Sequence, residues 1–324
     1  MGNEQAMPFG LKRGLIRRRP WSKVRPPRSR RFGMAKPFPF VRALRRGVPP
    51  TRIGELRMIA GPLEVRLAKN DAEVAAAQRL RYEVFYEELK AKASPEAAEA
   101  RRDFDRFDPF CDHLIVIDHK GEGAGRIVGV YRLMRRDVAA EAGQFYTQDE
   151  FNIRKLLRGG RQILELGRSC VHPDYRSAGV MNLMWRALAH YVTMHDIKIL
   201  FGCASFPGAD PKAHALALSY LHHYHLAPPQ MRPKALRKRY VRMDRMSPDK
   251  IDAKAAQHAL PPLLRGYLRL GGVIGDGAVI DEAFDTVDVC IVVRTDRLAE
   301  DYARRYMNVR KKAGIDPVGT PLQG

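Results

Sequence analysis

Apolar positions along this chain change their period several times, and each change marks an element. From Leu63 to Leu67 they alternate with polar ones, as in a half-buried strand. Asp71 then opens a helical pattern that runs through Val74, Leu80, Val84 and Phe85. Two apolar runs, 113–117 and 126–133, are separated by Asp118 and a glycine cluster at 121–125, which predicts a hairpin. A longer strand, 162–171, is stopped by His172, Pro173 and Asp174, after which Val180, Leu183, Met184, Ala187, Leu188 and Tyr191 recur at helical spacing. A strand at 198–204 follows, and the pattern ends with a strand at 287–293 and a helix at 298–307. Strand, turn, helix and strand in that order predict an α/β unit whose turn lies at the carboxyl edge of the first strand, where ligands bind.

Composition adds a domain boundary. The 324 residues carry a net charge of +21, and residues 1–57 hold 16 Lys or Arg against only Glu4 and Glu55, two thirds of the excess. That stretch is also rich in Pro and Gly, so it is expected to be a disordered basic tail ahead of a single folded domain at 58–324. Phe38, Phe40, Val41 and Leu44 interleave with Arg42, Arg45 and Arg46, a mixture suited to an anionic membrane surface. Non-specific attraction to nucleic acid and a merely solubilising role use the same charges, and no specific nucleic-acid partner is expected. No apolar run of 18 residues and no leader-like segment appears, so the expected place is the cytoplasm, at most peripheral to the inner face of the membrane. Cys111, Cys170, Cys203 and Cys290 are scattered without a C-x-x-C pair and read as reduced, buried thiols. His214, His222, His223 and His225 lack the partner spacing of a zinc site, and no metal is expected.

Candidate chemistry concentrates around the turn after residue 171. Arg176, Ser177, Ala178, Gly179 and Val180 place small residues and a cation at a helix start, where free N–H groups and the helix dipole favour phosphate. Just upstream, Glu165 and Arg168 interrupt an apolar strand, and burying either charge is costly unless it is paired or neutralised. In an ideal strand the two would point to opposite faces, so a joint role requires a bulge, expected at Gly167.

The Arg176-x-x-Gly179 turn after a charged strand resembles the phosphopantetheine-binding motif of GNAT acyltransferases. Arg81, Val84 and Phe85, then Asp105 and Asp108, then Arg132, Glu165 and Arg168, resemble the pattern of acyl-homoserine-lactone synthases. Over about residues 60–310 the chain is most similar to the ornithine N-alpha-acyltransferases that begin ornithine lipid synthesis, notably at 165–175 and 261–271. The resemblance implies an α/β fold of GNAT type, a central mixed, twisted sheet flanked by helices on both faces. It also implies N-acylation of L-ornithine by a 3-hydroxyacyl chain on the 4′-phosphopantetheine arm of acyl carrier protein, giving lyso-ornithine lipid, with no permanently bound cofactor. Met181 stands where the general GNAT motif has a small residue that admits a pyrophosphate, which favours the carrier-protein donor over a coenzyme A thioester.

Direct attack of an amine on a thioester needs a proton acceptor, and a carboxylate in an apolar strand is a fit candidate, so Glu165 with Arg168 is the expected catalytic pair. Backbone N–H groups at Cys170 and Val171 are expected to hold the pantetheine and polarise the thioester carbonyl, and Cys170 is not required as a nucleophile. The acceptor's carboxylate asks for an arginine, Arg81, Arg132 or Arg168, and its distal ammonium for Asp105 or Asp108. A second reading makes Arg81, Asp105 and Asp108 a network pinning the loop 90–112 over the site. The segment 230–285 is expected to be a helical insertion whose Leu260, Leu263, Leu264, Tyr267 and Leu268 either wall an acyl tunnel or pack as core. Two other classes remain open: a GNAT N-acetyltransferase using acetyl-coenzyme A on a small amine, and a non-enzymatic protein that binds membrane or nucleic acid through its tail.

Overall fold

The alternation at Leu63–Leu67 is realised as one strand of a large sheet. A computed structural model describes residues 56–120, 125–176 and 178–296. Ten strands lie among them: β1 (Arg57–Ala60), β2 (Leu63–Leu67), β3 (Asp112–Asp118), β4 (Arg126–Arg135), β5 (Phe151–Asn152), β6 (Ile163–Val171), β7 (Ile199–Pro207), β8 (Lys234–Ala235), β9 (Val273–Asp281) and β10 (Thr286–Arg294). Their order across the sheet is β1-β2-β3-β4-β6-β7-β10-β9-β8-β5. Pairing is antiparallel except for β6 with β7 and β8 with β9.

Helices cover both faces because the central strands are apolar on both. On β10, Val287, Val289, Ile291 and Val293 join one core while Cys290 and Val292 join the other. The helices are α1 (Asp71–Tyr82), α2 (Pro95–Ala100), α3 (Arg136–Glu141), α4 (Arg154–Leu157), α5 (Ala178–Met194), α6 (Ala215–Tyr224), α7 (Ala253–Ala259) and α8 (Pro262–Arg269). The long α5 sends Val180, Leu183, Met184, Ala187, Leu188 and Tyr191 into the first core, together with Leu218 of α6, Ala256 of α7 and Leu264 of α8. On the other face α1 contributes Ala77 and Leu80. Asn70 caps α1 by accepting from the Glu73 N–H at 3.0 Å, and the acids Asp71 and Glu73 suit the positive end of the helix dipole. Beyond Tyr82 the helix widens into a π turn, Glu83–Glu88. No helix among the described residues is long and apolar enough to cross a membrane.

Two expectations need correction. The folded part starts before residue 58: Leu56 is buried and Arg57 opens β1, its guanidinium 2.5 Å from Glu64. The rest of the basic tail lies outside the described residues, as does the helix expected at 298–307. Segment 230–285 is not a helical insertion throughout, because β9 is a full strand paired with β10, and only α7 and α8 within it are α-helical. Its Gly271, Gly272 and Gly275 look like breakers in the sequence, yet two of them serve close approach: a Cβ on Gly272 would meet the Tyr267 carbonyl oxygen at 2.7 Å, and one on Gly275 the Pro233 carbonyl oxygen at 3.0 Å.

One irregularity of the sheet positions the site. The parallel ladder of β6 and β7 pairs Ile163 with Ile199, Leu164 with Leu200 and Glu165 with Phe201, then stops, although both strands run on for six residues, to Val171 and Pro207. At the point of divergence the two backbones approach closely. A Cβ on Gly202 would lie 2.3 Å from the carbonyl oxygen of Leu166, so only glycine fits there. Past it β6 and β7 separate, leaving an opening in the middle of the sheet.

Candidate active site

The expected bulge is present one residue later than the sequence indicates. Val130 on β4 faces Cys170 and Arg132 faces Gly167, so three residues on β4 span four on β6. Arg168, not Gly167, takes up the extra length, with φ at +50°. A non-glycine residue in this left-handed region costs about 1 kcal/mol or more, and its contacts hold it there. Its guanidinium lies 3.2 Å from Asp103 and 3.3 Å from Asp105, and over the rings of Tyr146 and Phe284 at 4.8 and 4.7 Å. The bulge thereby brings Arg168 and Glu165 to the wall of one cavity, of about 240 Å³.

Around Arg168 the charged candidates close into a ring. Arg81 reaches Asp103 and Asp108, both at 2.7 Å. Arg132 reaches Asp108 at 3.0 Å and Asp105 at 2.7 Å, and Arg168 joins Asp105 back to Asp103. Three arginines and three aspartates thus alternate with no net charge, and the Arg81 side chain is fully buried at their centre. Burial alone would raise the Asp105 carboxyl, but the guanidiniums of Arg132 and Arg168 outweigh it and hold it down at about 2. Asp103 is lowered in the same way, against burial, by Arg168, Arg81 and Arg132. Arg81, Asp105 and Asp108, the residues of the second sequence reading, thus belong to one ion-pair network with Asp103, Arg132 and Arg168. Arg81 and Asp108 do not line the cavity, whereas Arg132 and Arg168 do. Asp103, absent from the sequence candidates, sits two residues before Asp105 in the same acidic run.

Glu165 is buried, and each oxygen accepts a backbone N–H from the 3-10 turn Tyr146–Asp149: Tyr146 N–H at 2.9 Å and Thr147 N–H at 2.6 Å. Burial raises its pKa above the ordinary glutamate value, opposed by these donors, the Thr147 hydroxyl and Arg132. Such a carboxylate is oriented and more basic than an exposed one, the two properties required of a proton acceptor.

The cavity passes through the opening in the sheet. Glu165, Arg132 and Arg168 line it from one face, while Tyr131, Leu263, Tyr267 and Ile291, which belong to or pack on the α5 core, line it from the other. The hydroxyls of Tyr131 and Tyr267 touch. Of the apolar residues singled out in 260–268, Leu263 and Tyr267 therefore reach the cavity, while Leu260 and Leu264 are core. Cys170 is buried among Leu80, Val84 and Val130, its thiol pushed up to about 12 by burial. Val171 is buried, and its carbonyl accepts from Arg176 Nε at 3.1 Å. The two terminal nitrogens of Arg176 hold Glu88 at 2.6 Å each. Ala178, Gly179 and Val180 form the first turn of α5, with Gly179 exposed and Val180 buried, while Ser177 lies outside the described residues.

Sequence reasoning also missed Cys203, Ser205, Asp281 and Asp288, which line the same cavity, and Glu150 beside them. The period-2 alternation of β7 and β10 contained the signal, since Asp288 breaks an apolar strand as Glu165 does. Cys203 is therefore more than a small buried hydrophobe: its thiol lies 3.3 Å from Glu150. Of the histidines, His214 contacts the Pro207 carbonyl at 3.0 Å and His223 contacts Asp244 at 3.1 Å.

A model of the acetyltransferase (GNAT) domain matches residues 80–186, the span that contains the arginine and aspartate ring, Glu165, Arg168 and the start of α5. The L-ornithine N(alpha)-acyltransferase of Rhizobium meliloti strain 1021 is 47% identical over 248 residues, covering 75% of this chain and 84% of the relative. The chain belongs to the L-ornithine N(alpha)-acyltransferase family. Members from Rhodobacter capsulatus, 46% identical over 77% of this chain and 97% of the relative, and from Brucella abortus, 48% identical over 76% and 89%, place it there equally. The GNAT-like sheet with helices on both faces, implied by the sequence resemblance, is the fold found. For this L-ornithine N(alpha)-acyltransferase family member the ring makes a stability prediction. Arg81→Met leaves Asp103 and Asp108 buried without their shared partner and is expected to cost about 3–5 kcal/mol in urea unfolding. Because the folded pKa values of Asp103 and Asp105 are depressed below about 3.8, the ring's contribution is present above that pH and is lost as pH falls toward about 2. Asp105→Asn should flatten that acid limb of the urea midpoint, and an unchanged limb would show that the ring is not its source.

Proposed function

We propose that the protein transfers a 3-hydroxyacyl chain from acyl carrier protein to the α-amino group of L-ornithine, giving lyso-ornithine lipid. The observation that carries this reading is the cavity through the splayed strands, with Glu165 at the fork. A phosphopantetheine arm fits between β6 and β7, along the backbone of Cys170 and Val171, and brings its thioester to Glu165. The α-amine attacks the thioester carbon, its proton passes to Glu165, and the pantetheine thiolate leaves and is protonated. Arg168 and Arg132 present positive charge to the acceptor's carboxylate. Holding amine and thioester together supplies roughly 7–11 kcal/mol of the barrier reduction. Cys170 has no nucleophilic task, because its buried thiol stays protonated.

On the donor side, Arg176 and the start of α5 receive the single phosphodiester of the carrier protein. Arg176 is half exposed in its pair with Glu88, and such surface pairs contribute only about 0–1 kcal/mol, so exchange of the carboxylate for a phosphate costs little. Carrier proteins are acidic and this chain is basic even without residues 1–57. The basic tail draws the folded part, which starts at Leu56, to the anionic inner face of the cell membrane, where the lipid product belongs, and the enzyme is a cytoplasmic one peripheral to that face.

Three outcomes test the reading. Glu165→Gln should lower kcat by about 100-fold or more with folding retained, and should abolish an acid limb of kcat/KM that lies above the ordinary glutamate range. Wild-type rates across the pH profile in that variant would remove Glu165 from the role of base. Next, 3-hydroxyacyl carrier protein should exceed the same acyl group on coenzyme A in kcat/KM, by a margin that shrinks with salt and with Arg176→Ala. Preference for acetyl-coenzyme A, with no lyso-ornithine lipid found by mass spectrometry from any long-chain thioester, would replace the proposal with a small-amine acetyltransferase. Finally, deleting residues 1–55 should weaken sedimentation with anionic vesicles in a salt-dependent way, and unchanged binding would exclude the tail as the membrane contact.

A further inference from the structure

The cavity has a second charged wall that the chemistry above leaves without a task. On β7, Phe201, Cys203 and Ser205 alternate onto the face that carries Glu165, and the antiparallel register sets Ser205 opposite Asp288 and Cys203 opposite Cys290. Asp288 and Asp281 line the cavity, and Glu150 stands behind Cys203 with its Oε2 3.3 Å from the thiol. One oxygen each from Glu150 and Asp288 and the Cys203 sulfur lie within 4.8 Å of one another.

Unlike the aspartates of the ring, these acids have almost no counter-charge. Asp288 is 5% exposed, and its Oδ1 has no hydrogen-bond partner. Neither Asp288 nor Asp281 forms an ion pair among the described residues, and Glu150 has only Arg239, at 3.8 Å. Burial, with the mutual repulsion of the acids, pushes Glu150 up to about 8 against Cys203 and Arg239, and Asp288 up to about 6 against the Thr286 and Ser205 side chains and the more distant charge of Arg168. A buried carboxylate with an open acceptor on a cavity wall is a receptor for a cation donor.

We infer that Asp288, supported by Asp281 and Glu150, receives the distal ammonium of a diamino-acid acceptor. The inference rests on the acylation of ornithine proposed above and assigns the acceptor's far end. Asp105 and Asp108, the carboxylates the sequence offered for this purpose, are already occupied by Arg132, Arg168 and Arg81. The two nitrogens of extended ornithine are roughly 6 Å apart by standard bond lengths, with a further hydrogen bond of about 2.8 Å at each end. A row of contacts joins the two ends of the wall: Glu165 to Thr147 N–H at 2.6 Å, Thr147 Oγ1 to Cys203 at 3.8 Å, and Cys203 to Asp288 within 4.8 Å. With the α-amine at Glu165 and the carboxylate at Arg168, the side chain of the acceptor runs along this row.

The test compares ornithine with norvaline, which has the same carbon chain without the distal amine, using the full-length protein and a saturating long-chain thioester. Wild type should favour ornithine in kcat/KM, and Asp288→Asn should lower the ornithine-to-norvaline ratio about 10-fold to 100-fold, chiefly through KM for ornithine. Asp281→Asn, which keeps the Oδ1 that accepts from the Ala283 and Phe284 N–H groups, should shift the ratio in the same direction and guards against a folding defect in the first variant. Equal losses on both acceptors, or a wild type that does not distinguish them, would overturn the inference while leaving ornithine acylation intact. If no thioester supports ornithine acylation, the functional proposal fails, and calorimetry alone then decides the inference: ornithine must bind more tightly than norvaline in wild type and lose that margin in Asp288→Asn. A stoichiometric divalent metal in the purified protein that disappears in Asp288→Asn would also overturn it, by showing that the acids with Cys203 hold an ion instead.

Discussion

A fully buried guanidinium is stable only where carboxylates surround it, and the site depends on how this chain meets that condition for Arg81. Asp103 and Asp108 come from a loop tied to α1 by the Asp103 N–H, which donates to the Gln78 carbonyl at 3.0 Å, and the arginine that needs the two carboxylates also fixes them. Once fixed, the loop presents Asp105 to Arg132 and Arg168, and those two arginines become part of the cavity wall. The left-handed backbone of Arg168 is tolerable because two carboxylates and two aromatic rings claim its side chain. Helix α1, the loop, β4 and β6 are thereby tied by charge at the point where the sheet opens.

The cavity divides into two electrostatic regions with different consequences. Within the ring, charges cancel, and the arginines hold Asp103 and Asp105 ionised. On the wall beside β7, Glu150 and Asp288 are buried without a close counter-charge and tend toward protonation. Glu165 stands between the regimes, raised by burial yet steadied by two N–H donors and by Arg132. A group in that position takes up a proton at higher pH than either the ring aspartates or an exposed glutamate.

Much of the architecture was legible in the sequence because it rests on local periodicity. The strands at 63–67, 113–117, 126–133 and 162–171 and the helix from Val180 to Tyr191 were found with no end shifted by more than three residues, since side-chain burial repeats with the backbone period. β1, β5, β8 and β9 were not found. β1 is almost wholly exposed, β5 and β8 have two residues each, and β9 contains Gly275 and Gly277, whose role in close packing looks like turn chemistry from sequence alone. Glu165 and Arg168 were legible because a charge in an apolar strand demands a reason, and Arg132 through the resemblance to acyl-homoserine-lactone synthases. Asp103 and the acids of β9 and β10 were not, because their importance arises from partners, or from the lack of them, on strands far apart in the chain.

The opening between β6 and β7 is an internal sheet edge. The ladder ends at Glu165 and Phe201, and the strands beyond are joined to β4 and β10 on their outer sides but not to each other. Edges of this kind are ordinarily found at a protein's margin, where water satisfies them. Here the missing ladder lies beside Glu165, inside the sheet, so main-chain groups of β6 and β7 past Leu166 and Gly202 that lack a partner strand border the cavity. An extended chain carrying amide groups has there the hydrogen-bonding edge that a neighbouring strand would otherwise take.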